Sequence, residues 1–517
     1  MSFRILWVDD QIEELKSHVV YLTEKGYQVD GVSNGQDAVE KLRQHVYDAV
    51  LLDEMMPGMT GLETLAELKK VRENVPVIMI TKSEEEDLMN RAIGRRIDDY
   101  LVKPVSPLQI VSALKRLLEG RKIRGEQLSR DFLKHYNRTQ ERIGTARKPD
   151  DWIELHNELV QWELDLYADG DPGLLGTHEE MNSEANRAFA RYVRENYAGW
   201  VNGSDDAPVL SPDLFKTWVA PEMEGGRQVI WIVIDCMRLD QLRAIEDLLE
   251  PYYHMERRSY YSILPTATPF ARNSIFSGLY PREIADRHPD WWRGSSRQQH
   301  SKNAHEEQLL GEQLKRLNLD AAKSYKYYKV FDARDSDDLS KHVGSLEGTQ
   351  LVAAVYNFLD IMAHGRGQSN ILKELAPDVA AFRSLMRSWF EHSTLFDVLK
   401  TLARRDCTVI LTTDHGSVYC RRASTVKANR ETSSNVRYKY GDNLGVNEKQ
   451  VFLMKDPEDY MLPRQSAIEN YAITTDNYYL VYPTNFHEYE RLYRDSFQHG
   501  GISLEEMIIP FAVLKPK

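Results

Sequence analysis

The first 119 residues alternate short apolar runs with amphipathic stretches. Arg4–Val8, Tyr27–Ser33, Tyr47–Leu52, Val77–Ile80 and Tyr100–Val102 read as strands, with Gln11–Lys25, Leu62–Arg72 and Glu84–Ile93 as helices between them. Apolar strands alternating with helices predict an α/β domain, a doubly wound five-stranded parallel sheet covered on both faces. From residue 120 the strand signal stops. Glu126–Thr139, Asp150–Tyr167 and Asn182–Glu195 are amphipathic, and Trp152, Leu155, Leu159, Trp162 and Leu166 share one helical face. Pro149 and the turn at Asp169–Gly173 separate these stretches, so a small helical bundle is expected, a spacer rather than a site. After the turn-rich Asn202–Pro208 the apolar runs return. Val229–Ile234, Lys323–Phe331, Leu351–Leu359 and the start of Val409–Gly416 read as strands, with helices over Leu239–Glu250 and Pro377–Arg405. Leu264–Pro281 reads strand, turn, helix. The expected division is 1–120, 121–205 and 206–517.

Composition narrows the class without naming the chemistry. The 517 residues are 42% hydrophobic and 28% charged, as in an ordinary globular protein. Net charge is −13, and residues 1–120 carry 15 Lys+Arg against 21 Asp+Glu, so neither end is basic and a dedicated duplex-DNA binder is disfavoured. Met1–Asp10 is not a signal peptide, and no apolar run reaches the ~20 residues of a membrane span. Cys236, Cys407 and Cys420 are odd in number and form no CxxC, which points to a reducing compartment; a cytoplasmic protein without membrane insertion is expected.

The chemistry gathers at strand tips. In the first segment these carry Asp9 and Asp10, Asp53, Thr81, and Lys103 before Pro104. Three carboxylates on one rim repel each other unless a hard dication lies among them, and Mg²⁺ fits. Lys103 is placed to pair with a phosphoryl oxygen on Asp53, with the Thr81 hydroxyl following it. The stretches VDD, LLDEMMPGMTG, MITKS and YLVKP resemble those of two-component receiver domains. The resemblance implies that Asp53 accepts a phosphoryl group from a sensor histidine kinase while Asp9, Asp10 and Asp53 hold Mg²⁺. It also puts Tyr100 in the place of the switch aromatic, beside Thr81 and Lys103.

In the last segment Asp414 and His415 follow the run VILTT, Asp235 ends VIWIVID, Asp360 and His364 stand at i, i+4, and His499 lies in FQHGG. Ligands collect outside the carboxyl ends of parallel strands, and this set suffices for two metal ions. Thr268 precedes Pro269 where a helix begins. A hydroxyl there is placed to attack phosphorus if a metal lowers its pKa, but the segment by itself favours an ordinary N-cap threonine. Pro281–Glu307 reads as a loop with Trp291, Trp292, His288, His300 and His305. A second loop, Tyr419–Gly441, carries Arg421, Arg422, Lys427, Arg430, Arg437 and Lys439 with Tyr438 and Tyr440 between them, which suits a phosphorylated substrate with bases to stack.

Together VIDCMRLDQ, PTATPFARNSIFSGLYP, the Asp360/His364 pair, TTDHGS and QHGGISLEEMIIP resemble the PglZ branch of the alkaline phosphatase superfamily. The three-part arrangement resembles PorX-type response regulators. The resemblance implies an alkaline-phosphatase-like α/β effector with two Zn²⁺, one held by Asp360, His364 and His499, the other by Asp235, Asp414 and His415. Thr268 is implied as nucleophile between them, with Thr266 as the alternative, and Arg437 and Lys439 as substrate-binding residues. It further implies a phosphodiesterase on cyclic or linear oligonucleotides in type IX secretion signalling, with a sigma factor or secretion component as partner. A phosphomonoesterase or phosphomutase would use the same ligands, and a non-catalytic signalling scaffold is a third reading. No helix-turn-helix pattern follows the receiver-like segment. Phosphorylation is expected to promote a homodimer through roughly Glu84–Leu118.

Overall fold

The computed structural model describes residues 3–72, 75–82, 97–169, 172–293, 303–331, 335–336, 341, 348–428 and 435–517. The expected helix Glu84–Ile93, and with it much of the expected dimer face, lies outside them, as do His300 and Arg430. The chain forms two compact units, Met1–Phe132 with Asp169–Asp171, and Leu133–Ala168 with Pro172–Lys517.

In the first unit β1 (Arg4–Val8), β2 (Gln28–Val32), β3 (Ala49–Asp53), β4 (Val77–Thr81) and β5 (Asp99–Val102) form one parallel sheet in the order β2-β1-β3-β4-β5. Successive side chains on a strand point to opposite faces, so Leu6 and Val8 enter one apolar cluster and Ile5 and Trp7 the other. The helices between the strands start on local signals. Asn34 accepts from the backbone of Asp37, and Thr60 with Glu63 and Ser106 with Gln109 form capping boxes.

The second unit contains the helix Pro149–Asp169 up to Ala168, the helix Pro172–Val201, both longer than the sequence suggested, and a six-stranded sheet. Pro149, read as a separator, is the first helical residue. In the sheet, β6 (Gln228–Ile234), β8 (Tyr325–Val330), β9 (Leu351–Tyr356) and β10 (Cys407–Thr412) are parallel to one another, in the order β10-β6-β9-β8. β7 (Tyr253–Tyr261), which the sequence reading missed, pairs antiparallel with the C-terminal strand Ile508–Pro516, and that strand pairs antiparallel with β10.

Five expectations are corrected. Pro281–Glu307, expected as a loop, contains the helices Pro281–Arg287 and Pro289–Arg293. Pro377–Arg405 is two helices, Val379–Glu391 and Thr394–Leu402, because Ser393 caps the second by accepting from Phe396 N–H. Leu239–Glu250 likewise divides into Leu239–Arg243 and Glu246–Leu249. β9 ends at Tyr356, and Leu359 belongs to the helix Phe358–Gln368. The supposed basic loop contains the strands Val418–Cys420, Arg422–Lys427 and Tyr438–Asp442.

The long helices are no free spacer. Tyr261 donates its hydroxyl to Pro149 O (2.9 Å), Arg383 pairs with Glu163 (2.8 Å), and Leu264 N–H donates to the Tyr197 hydroxyl (2.7 Å). Asn186 takes the Leu504 N–H at 2.7 Å and donates to Glu505.

Candidate metal centres

The register of the parallel strands sets the site. Thr412 stands opposite Val233, Ile234 opposite Tyr356, and Val330 opposite Tyr356. One residue further on, Asp414 (two past β10), Asp235, Asn357 and Phe331 form a row along the carboxyl rim of the sheet.

Asp235, Asp414 and His415 are all buried and offer ligand atoms within 4.8 Å of one another. His415 Nε2 lies 3.5 Å from Asp235 Oδ1 and 3.6 Å from Asp414 Oδ2. Its Nδ1 is 3.0 Å from the Gly416 carbonyl, which fixes Nδ1 as the protonated nitrogen and turns the Nε2 lone pair toward the carboxylates. Asp360, His364 and His499 make the second cluster. The helix Phe358–Gln368 presents Asp360 and His364 one turn apart on one face, and His499 arrives from beyond the strand Ser496–Gln498. The two Nε2 atoms are 2.9 Å apart, each 3.3 Å from Asp360 Oδ1. The middle of such a triangle lies about 2 Å from every corner, the bond length of zinc to imidazole and carboxylate. The His415 and His499 rings stack with centroids 4.3 Å apart, so the clusters adjoin.

The donors fit divalent cations. Asp235 Oδ1, Asp360 Oδ1 and Asp414 Oδ2 are buried with no hydrogen-bond partner among the described residues. Burial, then the charge of Asp414, pushes the Asp235 carboxyl up to about 7, and burial also raises Asp414. Burial lowers His415 and His499, which favours the neutral, ligating form, whereas beside Asp360 His364 is raised despite its burial. Asp360 is held well below its ordinary value because the attraction of His364 and His499 outweighs its burial. Buried, mutually repelling carboxylates beside imidazoles form a cation site of mixed hard and borderline donors.

Thr268 is not an N-cap. Ala267 holds that position and the helix Thr268–Ser277 begins one residue later, leaving the Thr268 hydroxyl 3.0 Å from His415 Nε2. Thr266, the other candidate, is fully buried and donates to Gly501 O at 2.8 Å while accepting from Gly500 N–H. It secures the turn that carries His499.

Arg437 and Lys439 do not reach the site as expected. Arg437 is fully buried, its guanidinium bound by Glu506 with Nε–Oε1 at 3.1 Å. A Cβ on Gly501 would strike that guanidinium, and one on Gly500, at φ +116°, would strike the Tyr438 ring, so the two glycines let Arg437 and Tyr438 lie against the His499 turn. Lys439 is buried as well, and burial lowers its amine to about 8. Arg437 thus lies against the His499 turn, and neither Arg437 nor Lys439 is among the residues that line the cavity beside the clusters.

What faces the clusters is a cavity of about 360 Å³ whose walls include Arg272, Asn303, Lys329, Phe331, Ile361 and Tyr438. Sequence reading missed Arg272, although i+4 from Thr268 it shares a helix face with it. Arg272 pairs with Asp235 and, at 2.6 Å, with Glu306; Asn303 donates to Thr268 O at 3.1 Å. His288 and His305 stand away from the cavity, both stacked on Trp291.

The first unit has its own acidic rim. Asp9, Asp10 and Asp53 offer oxygens within 4.8 Å of one another, and Lys103 Nζ lies 2.8 Å from Asp53 and 3.2 Å from Asp9. Burial raises the Asp53 carboxyl despite Lys103. The Thr81 hydroxyl donates to Glu54, and Tyr100 is 37% exposed.

Residues 214–514 match the model of the BREX system PglZ alkaline phosphatase-like domain, well over half the chain. The chain belongs to this PglZ family. Ahead of the PglZ region, residues 5–115 match the response regulator receiver domain and 122–201 the PorX response regulator linker domain, so the order is a CheY-like receiver, a helical linker and a PglZ effector. The transcriptional regulatory proteins ResD of Bacillus subtilis and SrrA of Staphylococcus aureus are each 36% identical to it, over 115 and 118 residues. Those stretches are 22% and 23% of this chain and 48% of either relative, so the chain spans about half the length of the curated relatives it matches. The chemotaxis protein CheY4 of Vibrio cholerae is 26% identical over 23% of this chain and 100% of its own, with TM-score 0.22. No described helix is long and apolar enough to cross a membrane.

Proposed function

We propose that this PglZ protein is a response regulator whose effector is a two-metal phosphodiesterase, zinc-dependent, acting on cyclic or linear oligonucleotides. The observation that carries the reading is the Thr268 hydroxyl beside His415, where two three-ligand clusters adjoin. Asp235, Asp414 and His415 would hold one ion, and Asp360, His364 and His499 the other; when bound, the ions lower hydroxyl pKa values and offset charge developing on phosphoryl oxygens. The chain's own part is placement. Asn303 fixes the Thr268 carbonyl and Arg272 orients Asp235, so Thr268 Oγ is held ready to attack phosphorus as the P–O bond to one alcohol breaks and that alcohol leaves with the hydroxyl proton. Water then attacks the phosphothreonine, freeing Thr268 and a phosphomonoester.

The ligand clusters themselves match a diester: two dications and three aspartates leave one net positive charge, as a phosphodiester monoanion requires. Arg272 and Lys329 beside Glu306 add one further positive charge outside the clusters. Comparing kcat/KM on bis(p-nitrophenyl) phosphate and p-nitrophenyl phosphate tests this, and preference for the monoester overturns it.

For the first unit the proposal is that a sensor histidine kinase phosphorylates Asp53, with Mg²⁺ at Asp9, Asp10 and Asp53. Phosphorylation would move Thr81 and Tyr100 and promote a homodimer. The PorX-type linker supports placing the output in type IX secretion, with a sigma factor or secretion component as partner. Sedimentation with and without beryllofluoride and Mg²⁺ tests the dimer; an unchanged mass rejects it.

A further inference from the structure

The carboxyl rim that carries Asp414, Asp235 and Asn357 has a fourth member of different chemistry. Phe331, next in that row, is 53% exposed although it is a large apolar side chain on the wall of the cavity. It stands two strands from Asp235, about 10 Å. That span suits a substrate whose phosphorus is at the ligand clusters and whose flat apolar part lies one sugar away.

The ring is held in place. Phe331 N–H donates to Asp335 at 2.9 Å, and Lys329, two residues earlier and so on the same side of the strand, places Nζ 5.6 Å from the ring centroid. Lys329 is itself tied to Asn303 O at 2.8 Å and to Glu306 at 2.9 Å. Through Asn303 and Glu306 the same network holds Thr268 and Arg272. Ile361, 47% exposed, is a second apolar side chain on the cavity wall, one residue after the ligand Asp360.

We propose that Phe331 is the nucleobase platform of the site: with phosphorus at the ligand clusters, the adjoining base stacks on the Phe331 ring, which Lys329 braces, and this contact sets the preference for nucleoside esters. The proposal rests on the diesterase reading above. Aromatic stacking tolerates every base because each has a π-face, so the platform selects nucleotides as a class without selecting a sequence.

The test uses two esters with one leaving group, thymidine 5′-(p-nitrophenyl phosphate) and methyl p-nitrophenyl phosphate, on the metal-loaded full chain. The kcat/KM ratio of nucleoside to methyl ester is expected to fall about tenfold in Phe331→Ala and Phe331→Leu, and to be retained in Phe331→Trp. In parallel, binding of thymidine 5′-phosphate is measured calorimetrically on Thr268→Ala with and without Phe331→Ala, where the second change is expected to weaken binding about tenfold. An unmoved ratio, or a Phe331→Leu variant equal to wild type, overturns the platform. If neither ester is turned over but Phe331→Ala still weakens nucleotide binding, the platform stands and the diesterase reading falls. If binding too is indifferent to the ring, the platform falls with it.

Discussion

The Thr268 hydroxyl lies 3.0 Å from His415 Nε2, while Thr266, two residues earlier, turns its own hydroxyl to the Gly501 carbonyl 2.8 Å away. Thr268→Ala is therefore expected to lower diester turnover by at least about 10³, with metal content retained. Thr266→Ala loses a buried bond to the His499 turn and should destabilise the fold by about 1–3 kcal/mol. Stopped assays with elemental analysis, beside denaturant titration, distinguish the two outcomes.

Removing the ions should destabilise the second unit, since a ligand bound only to the folded form stabilises it by mass action. Dialysis against a chelator is expected to lower Tm and abolish turnover, and re-addition of two equivalents of Zn²⁺ to restore both. His499→Ala should bind one equivalent fewer. Elemental analysis showing no transition metal in protein purified without chelator would contradict this.

Stability should fall in mild acid. Burial drops His135, His156 and His178 from the usual 6.5 to about 4. Between those values the unfolded chain binds protons that the folded chain does not. Stability is then complete above 6.5 and declines as pH falls toward 4, on the order of 1–3 kcal/mol for each fully buried ring. Neither ring nitrogen of His156 has a hydrogen-bond partner among the described residues, so His156→Leu should flatten the acid limb with little loss at neutral pH. Urea titrations at several pH values measure the slope.

Arg437 and Glu506 form a fully buried pair against the turn that carries His499. Removing one partner strands a charge, so Glu506→Gln is expected to cost about 3–5 kcal/mol, and Arg437→Met with Glu506→Leu less than either alone. Because neither residue faces the cavity, the double variant should change KM by less than metal affinity, which titration with a chromophoric chelator reads.

Much of this was legible in the chain. Every ligand candidate except His499 follows an apolar run directly or beside another ligand, or pairs with another at i, i+4, and those patterns are local. What stayed hidden depends on partners far along the sequence. Arg437 looks like a solvated basic residue until Glu506 arrives 69 positions later, and the strand Tyr438–Asp442 is fixed by pairing with Glu469–Thr474. Thr268 was ambiguous for a smaller reason. One residue separates an N-cap from a first helical position, and periodicity cannot resolve boundaries that finely. The break at Ser393 was missed because apolar spacing runs on through it, while the cap is a single hydroxyl.

The helices Pro149–Asp169 and Pro172–Val201 share a unit with the sheet that bears the ligands, bonded to it through Tyr261, Leu264, Leu504 and Glu505. An excised effector starting at residue 206 would leave those groups bare. A piece grafted onto a different sensory front end would thus have to begin ahead of Pro149, helices included.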